Sequence, residues 1–158
     1  MVVYAAYGVG RVASRETLVG SEQEMVVLAL ADGLQVSLPI ERANAQLRSL
    51  ASEADLLQVQ DILRRDREVS AAPWLSRQRE SQAKLAGGDP VGLAEIVRDG
   101  ASRQELLTAR GAKAQLAEGE RRMFLAARRR LADEIAHVRG LEAADADVWI
   151  GEQLADVT

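Results

Sequence analysis

Trp74 and the cations that follow it are the side chains of this sequence best suited to binding chemistry. The cations are Arg77, Arg79 and Lys84, which share a predicted helix with Trp74 and are opposed there only by Glu80. Such cations can contact phosphate groups, which positions a protein on a nucleic acid without reading its bases. Surface arginines are usually just solvated, however, and most tryptophans are structural. The alternative to a role of Trp74 in binding is that its side chain packs against a predicted helix at residues 53–65.

A long predicted helix from about residue 118 to 139 carries a second group of cations, the run Arg121, Arg122, Arg128, Arg129 and Arg130. Three cations of this helix stand four residues from a carboxylate, in the pairs Glu118–Arg122, Arg129–Asp133 and Arg130–Glu134. Ion pairs form within a helix at this spacing, so we predict that most of the run is neutralised. Arg128 is then the least neutralised cation of the run and the remaining candidate for a phosphate contact.

The sequence offers little for catalysis or metal binding. It contains no cysteine, which excludes a thiol nucleophile, a thiolate metal site and a disulfide framework. Its one histidine, His137, lies near the end of a predicted helix, where the helix dipole favours the charged imidazolium. Gly8-Val9-Gly10 lacks the third glycine and the following helix of a dinucleotide-binding motif. We therefore expect no enzyme activity, no cofactor and no metal site.

The charge of the whole chain limits how its cations are used. The formal net charge is −4, whereas a protein that binds DNA strongly by itself usually presents a large positive field. If this chain contacts DNA, another protein must bring it there. Since we find no apolar run of about 18 residues and no basic-then-apolar leader, we expect a soluble cytoplasmic protein.

The first 50 residues have the pattern of short strands. Val2-Val3-Tyr4 and the apolar run 24–30 are β-prone, and residues 34–38 alternate between apolar and polar. Asp32-Gly33 favours a type I′ hairpin turn between the last two of these stretches. Several strands and turns this close together predict a small barrel or a strongly bent sheet.

From Ser52 onward the periodicity is helical. Ser52 and Asp55 resemble a capping box, residues 66–72 have the composition of a linker, and Pro73 can start the helix that carries Trp74. Asp89-Pro90 can cap and start the next helix, which we expect to end at Gly100. The segment 101–117 is ambiguous, although Ser102 and Glu105 favour a short separate helix. A last helix after the long one carries Val148, Ile150 and Leu154.

Together these motifs resemble the CarD family of transcription regulators. Val2-Val3-Tyr4, then Gly8-Val9-Gly10, and the strand end Val36-Ser37-Leu38-Pro39 are similar to the start of that family and to the polymerase-interacting domain of transcription-repair coupling factors. Trp74, the arginines after it and the segment Lys84-Leu85-Ala86-Gly87-Gly88-Asp89 resemble the tryptophan-led helix of the CarD branch. The resemblance extends over nearly the whole chain.

The resemblance implies an α+β fold: a small N-terminal Tudor-like β-barrel at residues 1–50 that binds RNA polymerase, then a compact all-α domain at residues 51–158 that contacts DNA. It also implies that Trp74 is a wedge at the upstream edge of the melted promoter, entering the minor groove. The implied phosphate contacts are then Arg77, Arg79, Lys84 and Arg128.

The implied polymerase surface lies on exposed strands of the first domain. In the family, basic side chains of such strands dock on the β subunit of RNA polymerase. The corresponding stretches here contain Arg15, Thr17, Gln35 and Ser37, and Ser37 stands where the family has a basic residue. Docking by strand pairing uses main-chain hydrogen bonds, which tolerates this change. We expect a monomer with two partners, the β subunit and promoter DNA, acting at the nucleoid and not at a membrane.

Two hypotheses about function remain open from the sequence. The first is a transcription regulator that binds polymerase and stabilises the open promoter complex. The second is a protein–protein adaptor that binds polymerase without touching DNA. Trp74→Ala separates the two, because only the first hypothesis predicts a loss of open-complex stabilisation while polymerase binding is intact.

Overall fold

The computed structural model describes residues 1–5, 7–17, 19–20, 22–65, 72–111, 113 and 115–156. The chain divides into two compact units, Met1–Leu50 and Ala51–Thr158. The predicted linker at 66–72 falls, except for its last residue, outside the described residues. No helix among the described residues is long and apolar enough to cross a membrane.

The first unit is an antiparallel sheet with one short helix. Its strands are β1 (Val2–Tyr4), β2 (Gly8–Thr17), β3 (Glu24–Leu30), β4 (Gln35–Pro39) and β5 (Leu47–Ser49), and its helix is α1 (Ile40–Gln46). The strand order is β4-β3-β2-β1-β5, which makes β4 and β5 the two ends of the sheet. The sheet curls into a half-barrel, and this confirms the predicted α+β class with a Tudor-like first unit.

A β-bulge and a tight turn give this sheet its curl and its register. The pairing of β2 with β3 shifts between Val12 and Ser14, and such bulges bend a strand and increase its twist. The hairpin after β3 forms as predicted, but the predicted turn type is wrong. Of its residues only Gly33 has a positive φ, 83°, and the Leu30 N–H donates to the Leu34 carbonyl at 2.9 Å. This is a three-residue loop with glycine in the left-handed position, so Asp32 avoids the strained backbone of a type I′ turn.

The second unit is helical. Its helices are α2 (Glu53–Arg64), α3 (Trp74–Gly87), α4 (Pro90–Arg110), α5 (Glu118–Arg139) and α6 (Ala143–Ala155). The predicted capping box is present, since the Asp55 N–H donates to Ser52 Oγ at 3.1 Å and the Ser52 N–H donates to Asp55 Oδ2 at 2.8 Å. Asp89 caps α4 as predicted, accepting the Val91 N–H at 2.7 Å. These caps satisfy N–H groups that have no partner within their helices.

The prediction that the helix beginning at Asp89-Pro90 ends at Gly100 is wrong, because α4 continues to Arg110 without a break. Gly100 serves packing instead of termination. A Cβ built on it would lie 2.4 Å from the Phe124 ring, so only glycine lets α4 and α5 approach this closely here. Ser102, expected to cap a short separate helix, accepts hydrogen bonds from the Arg98 guanidinium within α4.

The core of the second unit comes from α2, α4, α5 and α6. Ile150 and Leu154, predicted on the last helix, are buried in it. Other buried apolar residues of this core include Leu56, Val59, Leu63, Leu93, Ile96, Val97, Ala127, Leu131 and Ile135. Val148, predicted as part of the apolar stripe of the last helix, is exposed instead. In contrast to the other four helices, α3 contributes no fully buried residue. It lies on the surface of the unit, packed against α4 and α5.

Arg98 is a charged residue inside this core, with only 2% of its surface exposed. Its Nη1 donates to the Leu63 carbonyl at 2.8 Å and to the Leu154 carbonyl at 3.2 Å. Both carbonyls lie in the last turn of a helix, α2 and α6 respectively, where the helix dipole is negative. The guanidinium therefore satisfies carbonyls at two helix ends and joins three helices.

Candidate functional site

Trp74 is the first residue of α3 and remains 42% exposed. Its inner side lines a cleft between α3, α4 and α5, whose apolar wall includes Ile96, Met123 and Phe124. None of the cleft residues comes from α2, so the structure does not support packing of Trp74 against residues 53–65. The indole is thus held on one side by the helical unit and open to solvent on the other.

Arg77 is turned toward the helical unit. Its Nη1 lies 3.2 Å from Glu120 Oε1 of α5, and its Nε donates to the Ala72 carbonyl at 3.1 Å. Glu120 is shared with a second cation, because Arg103 Nε of α4 lies 3.3 Å from Glu120 Oε2. The predicted phosphate contact Arg77 is therefore already half of an intramolecular ion pair, and sequence spacing gave no sign of its partner.

Lys84 is also paired. Its Nζ lies 2.8 Å from Glu95 Oε2 of α4 and 3.5 Å from Glu80 Oε1 one turn back on α3. Partial burial alone lowers the pKa of Lys84, but the hydrogen bond to Glu95 and the charges of Glu95, Glu80 and Asp99 outweigh it. The pKa of Lys84 is therefore raised above its usual value, which keeps the ammonium charged at neutral pH.

Arg79 differs from its two neighbours on the helix. Its side chain is exposed and makes no ion pair with any residue in the described part of the chain. The first turn of α3 carries no acidic residue. Of the three predicted cations of α3, Arg79 is thus the one that can meet a phosphate without first leaving a carboxylate.

Arg128 is bound within the unit, and the prediction that it is the least neutralised cation of its run is wrong. Its Nε lies 2.6 Å from Asp147 Oδ1, and its Nη2 donates to both Oδ2 and the carbonyl oxygen of Asp147 at 3.2 Å. Asp147 belongs to α6, so spacing along α5 could not reveal this partner. The predicted i,i+4 pair of Glu118 with Arg122 is present at 2.6 Å.

The four predicted polymerase contacts lie on two different faces of the sheet. Residues paired directly across neighbouring antiparallel strands point to the same face. Arg15 pairs with Val26 of β3, whereas Ser37 pairs with the next residue, Val27. Arg15 and Thr17 therefore share one face, and Gln35 and Ser37 share the other. Arg15 also forms an ion pair with Glu24 at 2.8 Å.

Arg11 is an exposed cation on the same face as Gln35 and Ser37, and the sequence does not indicate this position. It pairs with Ala29 of β3, which in turn pairs with Gln35 of β4. Arg11 makes no ion pair with a described residue. Simple alternation along β2 would place Arg11 and Arg15 on one face, but the bulge between Val12 and Ser14 puts them on opposite faces.

The described residues hold no group of three or more histidine, aspartate or glutamate side chains placed to bind a metal ion. His137 is exposed at the end of α5, with its Nδ1 2.8 Å from the Asp133 carbonyl oxygen. Within the part of the chain that the structure describes, two features therefore stand out. One is the exposed indole on α3 with Arg79, and the other is the exposed strand face with Arg11; neither arginine forms an ion pair there.

Two family models match the chain. The model described as CarD-like/TRCF RID domain matches residues 1–51, and the model described as CarD, C-terminal domain matches residues 58–151. Domains of this family are regulatory and interact with RNA polymerase; they are not catalytic. The C-terminal match alone covers more than half of the chain, so this protein belongs to the CarD family of RNA polymerase-interacting transcription factors.

Proposed function

We propose that this protein binds the RNA polymerase β subunit through its sheet and stabilises the promoter open complex by inserting Trp74 at the upstream edge of the melted DNA. The observation that carries the proposal is the position of the indole. It stands half-exposed at the start of a surface helix, backed by Ile96 and Phe124, and the same helix carries Arg79, which forms no ion pair with a described residue.

The physical basis is a difference in affinity for two states of DNA. An apolar wedge must partly unstack a base step, which costs a few kcal/mol in intact duplex and least where the strands already separate. A ring that contacts only the opened edge therefore binds the open complex more tightly than the closed one. A preference of about 1.4 kcal/mol changes the ratio of open to closed complexes tenfold.

The cations of α3 then position the ring. Arg79 is the first candidate for a phosphate contact, because it needs no rearrangement. Arg77, Lys84 and Arg128 would each have to leave or share a carboxylate partner, namely Glu120, Glu95 and Asp147 respectively. Contacts of this kind fix the position of a protein on the backbone and carry no base specificity.

The sheet supplies the attachment that an acidic chain needs. β4 is an end strand of the sheet, so its outer edge can pair with a strand of the β subunit through main-chain hydrogen bonds. Gln35 and Ser37 of β4, and Arg11 on the same face two strands away, then supply side-chain contacts to the partner. Once the protein is bound to polymerase, its DNA contact becomes effectively intramolecular, and a weak contact is sufficient.

The test is the lifetime of the open complex on a ribosomal RNA promoter, with polymerase from the same organism. Wild-type protein should lengthen the lifetime, and Trp74→Ala should remove most of this effect while binding polymerase normally. Trp74→Phe should retain part of it, because a smaller ring still fills the opened step. An unchanged lifetime with Trp74→Ala would refute the wedge.

A second candidate function is an adaptor that binds polymerase without touching DNA. It is favoured by the pairing of Arg77, Lys84 and Arg128 with carboxylates and by the net charge of −4. In that case Trp74→Ala and Arg79→Ala both leave the open-complex lifetime unchanged, whereas changes on the exposed face of β4 alter recruitment of whatever the adaptor bridges.

A further inference from the structure

Leu75, directly after Trp74, is a large apolar side chain that the helical unit leaves uncovered. It is 61% exposed, more than Trp74 at 42%, and it lies outside the cleft that backs the indole. Two consecutive exposed apolar residues therefore begin α3, and packing within the unit accounts for only one side of the first.

The geometry of α3 places Leu75 beside the free cation. Residues four apart lie on the same face of a helix, so Leu75 and Arg79 are neighbours on the outer face. Both are exposed, whereas Arg77 and Gln78 line the inner cleft. The outer face of the first two turns thus presents an apolar side chain beside a guanidinium that forms no ion pair with a described residue.

The charge of α3 indicates what this face would contact. Arg77 and Lys84 line the cleft and are already paired with carboxylates of α5 and α4. On the outer face Arg79 forms no ion pair with a described residue, and an exposed cation of this kind is complementary to a phosphate. An apolar residue beside an unpaired cation fits the edge of an opening duplex, where an unstacked base step lies next to a phosphate.

We propose that Leu75 enters the opened edge of the promoter together with Trp74, so that the wedge is two residues wide, with Arg79 on the adjoining phosphate. This inference rests on the proposed function and adds a second inserting side chain to it. Leucine is among the residues that proteins insert between base steps. It cannot stack as an indole does, but it fills the space beside the ring and removes its own apolar surface from water.

The experiment compares Leu75→Ser with Leu57→Ser in the full-length chain bound to polymerase. Leu57 lies on α2 and is 63% exposed, so the control removes the same side chain from an equally open position of the same unit. Leu75→Ser should shorten the stabilised open-complex lifetime about threefold to tenfold, as partial loss of the burial energy of one leucine implies. Leu57→Ser should leave it unchanged, and Leu75→Met should restore it.

Three outcomes would refute this inference, and they distinguish its failure from failure of the proposed function. If Trp74→Ala shortens the lifetime and Leu75→Ser does not, the wedge is the indole alone and the inference is refuted. If neither change has an effect, both the inference and the proposed function fail. If Leu75→Ser weakens binding to polymerase in the absence of DNA, Leu75 contacts protein and the inference is again refuted. A shortened lifetime with unchanged polymerase affinity and thermal stability supports it.

Discussion

Arg77 and Arg79 lie on the same helix and differ in what they already contact. Arg77 forms an ion pair with Glu120, whereas Arg79 makes no ion pair with a described residue. A free cation can release counterions from DNA without first breaking an intramolecular contact. The two arginines therefore should not respond equally to removal.

We predict that Arg79→Ala shortens the open-complex lifetime that the protein provides. In a plot of the logarithm of this lifetime against the logarithm of salt concentration, the slope should become less steep by about one unit. Thermal stability should not change, because Arg79 is exposed. Arg77→Ala should instead lower the melting temperature, since Glu120 loses one of its two arginines. Salt titrations of open-complex lifetime and thermal melts check both statements, and equal salt slopes for Arg79→Ala and wild type would contradict the first.

The bulge in β2 gives a second prediction at this scale, because it separates Arg11 from Arg15. If the face of Gln35 and Ser37 docks on polymerase, Arg11→Glu should weaken binding to the β subunit by about tenfold, a typical cost of placing a like charge in an interface. Arg15→Glu, on the opposite face, is the matched control and should weaken it less. Affinity measurements with purified β subunit decide between the faces, and the reverse order would assign docking to the side of Arg15 and Thr17.

Asp133 on α5 provides a prediction about pH. Burial raises the pKa of its carboxyl above the usual value, and the charges of Arg129 and His137 offset this only in part. A carboxyl whose pKa is raised by folding favours the folded state most when protonated, and this contribution is lost as the pH rises through the folded pKa. Asp133→Asn should therefore raise the melting temperature at pH 7, with the gain disappearing in acid. Asp61→Asn, at an exposed ion pair with Arg65, should give no such gain.

At the scale of elements, the helical unit depends on one guanidinium. Arg98 of α4 satisfies the last-turn carbonyls of α2 and α6 as well as Ser102 Oγ. We predict that Arg98→Met, which keeps the length of the side chain, lowers the free energy of unfolding by about 3 kcal/mol, because buried carbonyls lose their donors. Arg121→Met, on the exposed side of α5, should change it by less than about 0.5 kcal/mol. Chemical denaturation measures both.

Several elements could be predicted from the sequence because their signals are local. The capping box at Ser52 and the cap at Asp89 act within one turn of their own helices, so both were predicted correctly. Gly100 by itself predicts a helix end, because glycine is common just after the last turn of a helix. Its actual role depends on Phe124, which is far along the chain and becomes a neighbour only when α4 and α5 pack.

The candidate site was predictable only in part, for the same reason. The exposure of Trp74 and Leu75 and the partners of Arg77, Lys84 and Arg128 are all set by contacts between helices. On the sheet, the facing of Arg11 depends on a bulge that strand alternation does not predict. Residue types indicated which side chains could bind a phosphate, and packing determined which of them are free to do so.

At the scale of the whole molecule, the net charge of −4 implies that the protein binds polymerase first and contacts DNA afterwards. We predict that the protein without polymerase binds promoter duplex with a dissociation constant weaker than about 10 µM at physiological salt, within the range of non-specific binding. Fluorescence anisotropy with labelled DNA measures this. Submicromolar binding by the chain alone would contradict the view that polymerase must bring it to the promoter.

Because Arg98 donates to carbonyls of both α2 and α6, it also affects how the helical unit folds during synthesis. The sheet unit lies within the first 50 residues, so it can fold while the rest is still being translated. The helices cannot close in the same stepwise way, because Arg98 lacks one of its acceptors until Leu154 has left the ribosome. Until then burying Arg98 would remove water from the guanidinium without supplying all of its protein acceptors, which opposes closure of the core. Ribosome stalling or early termination before α6 should therefore yield a folded sheet joined to a segment that proteases and chaperones recognise.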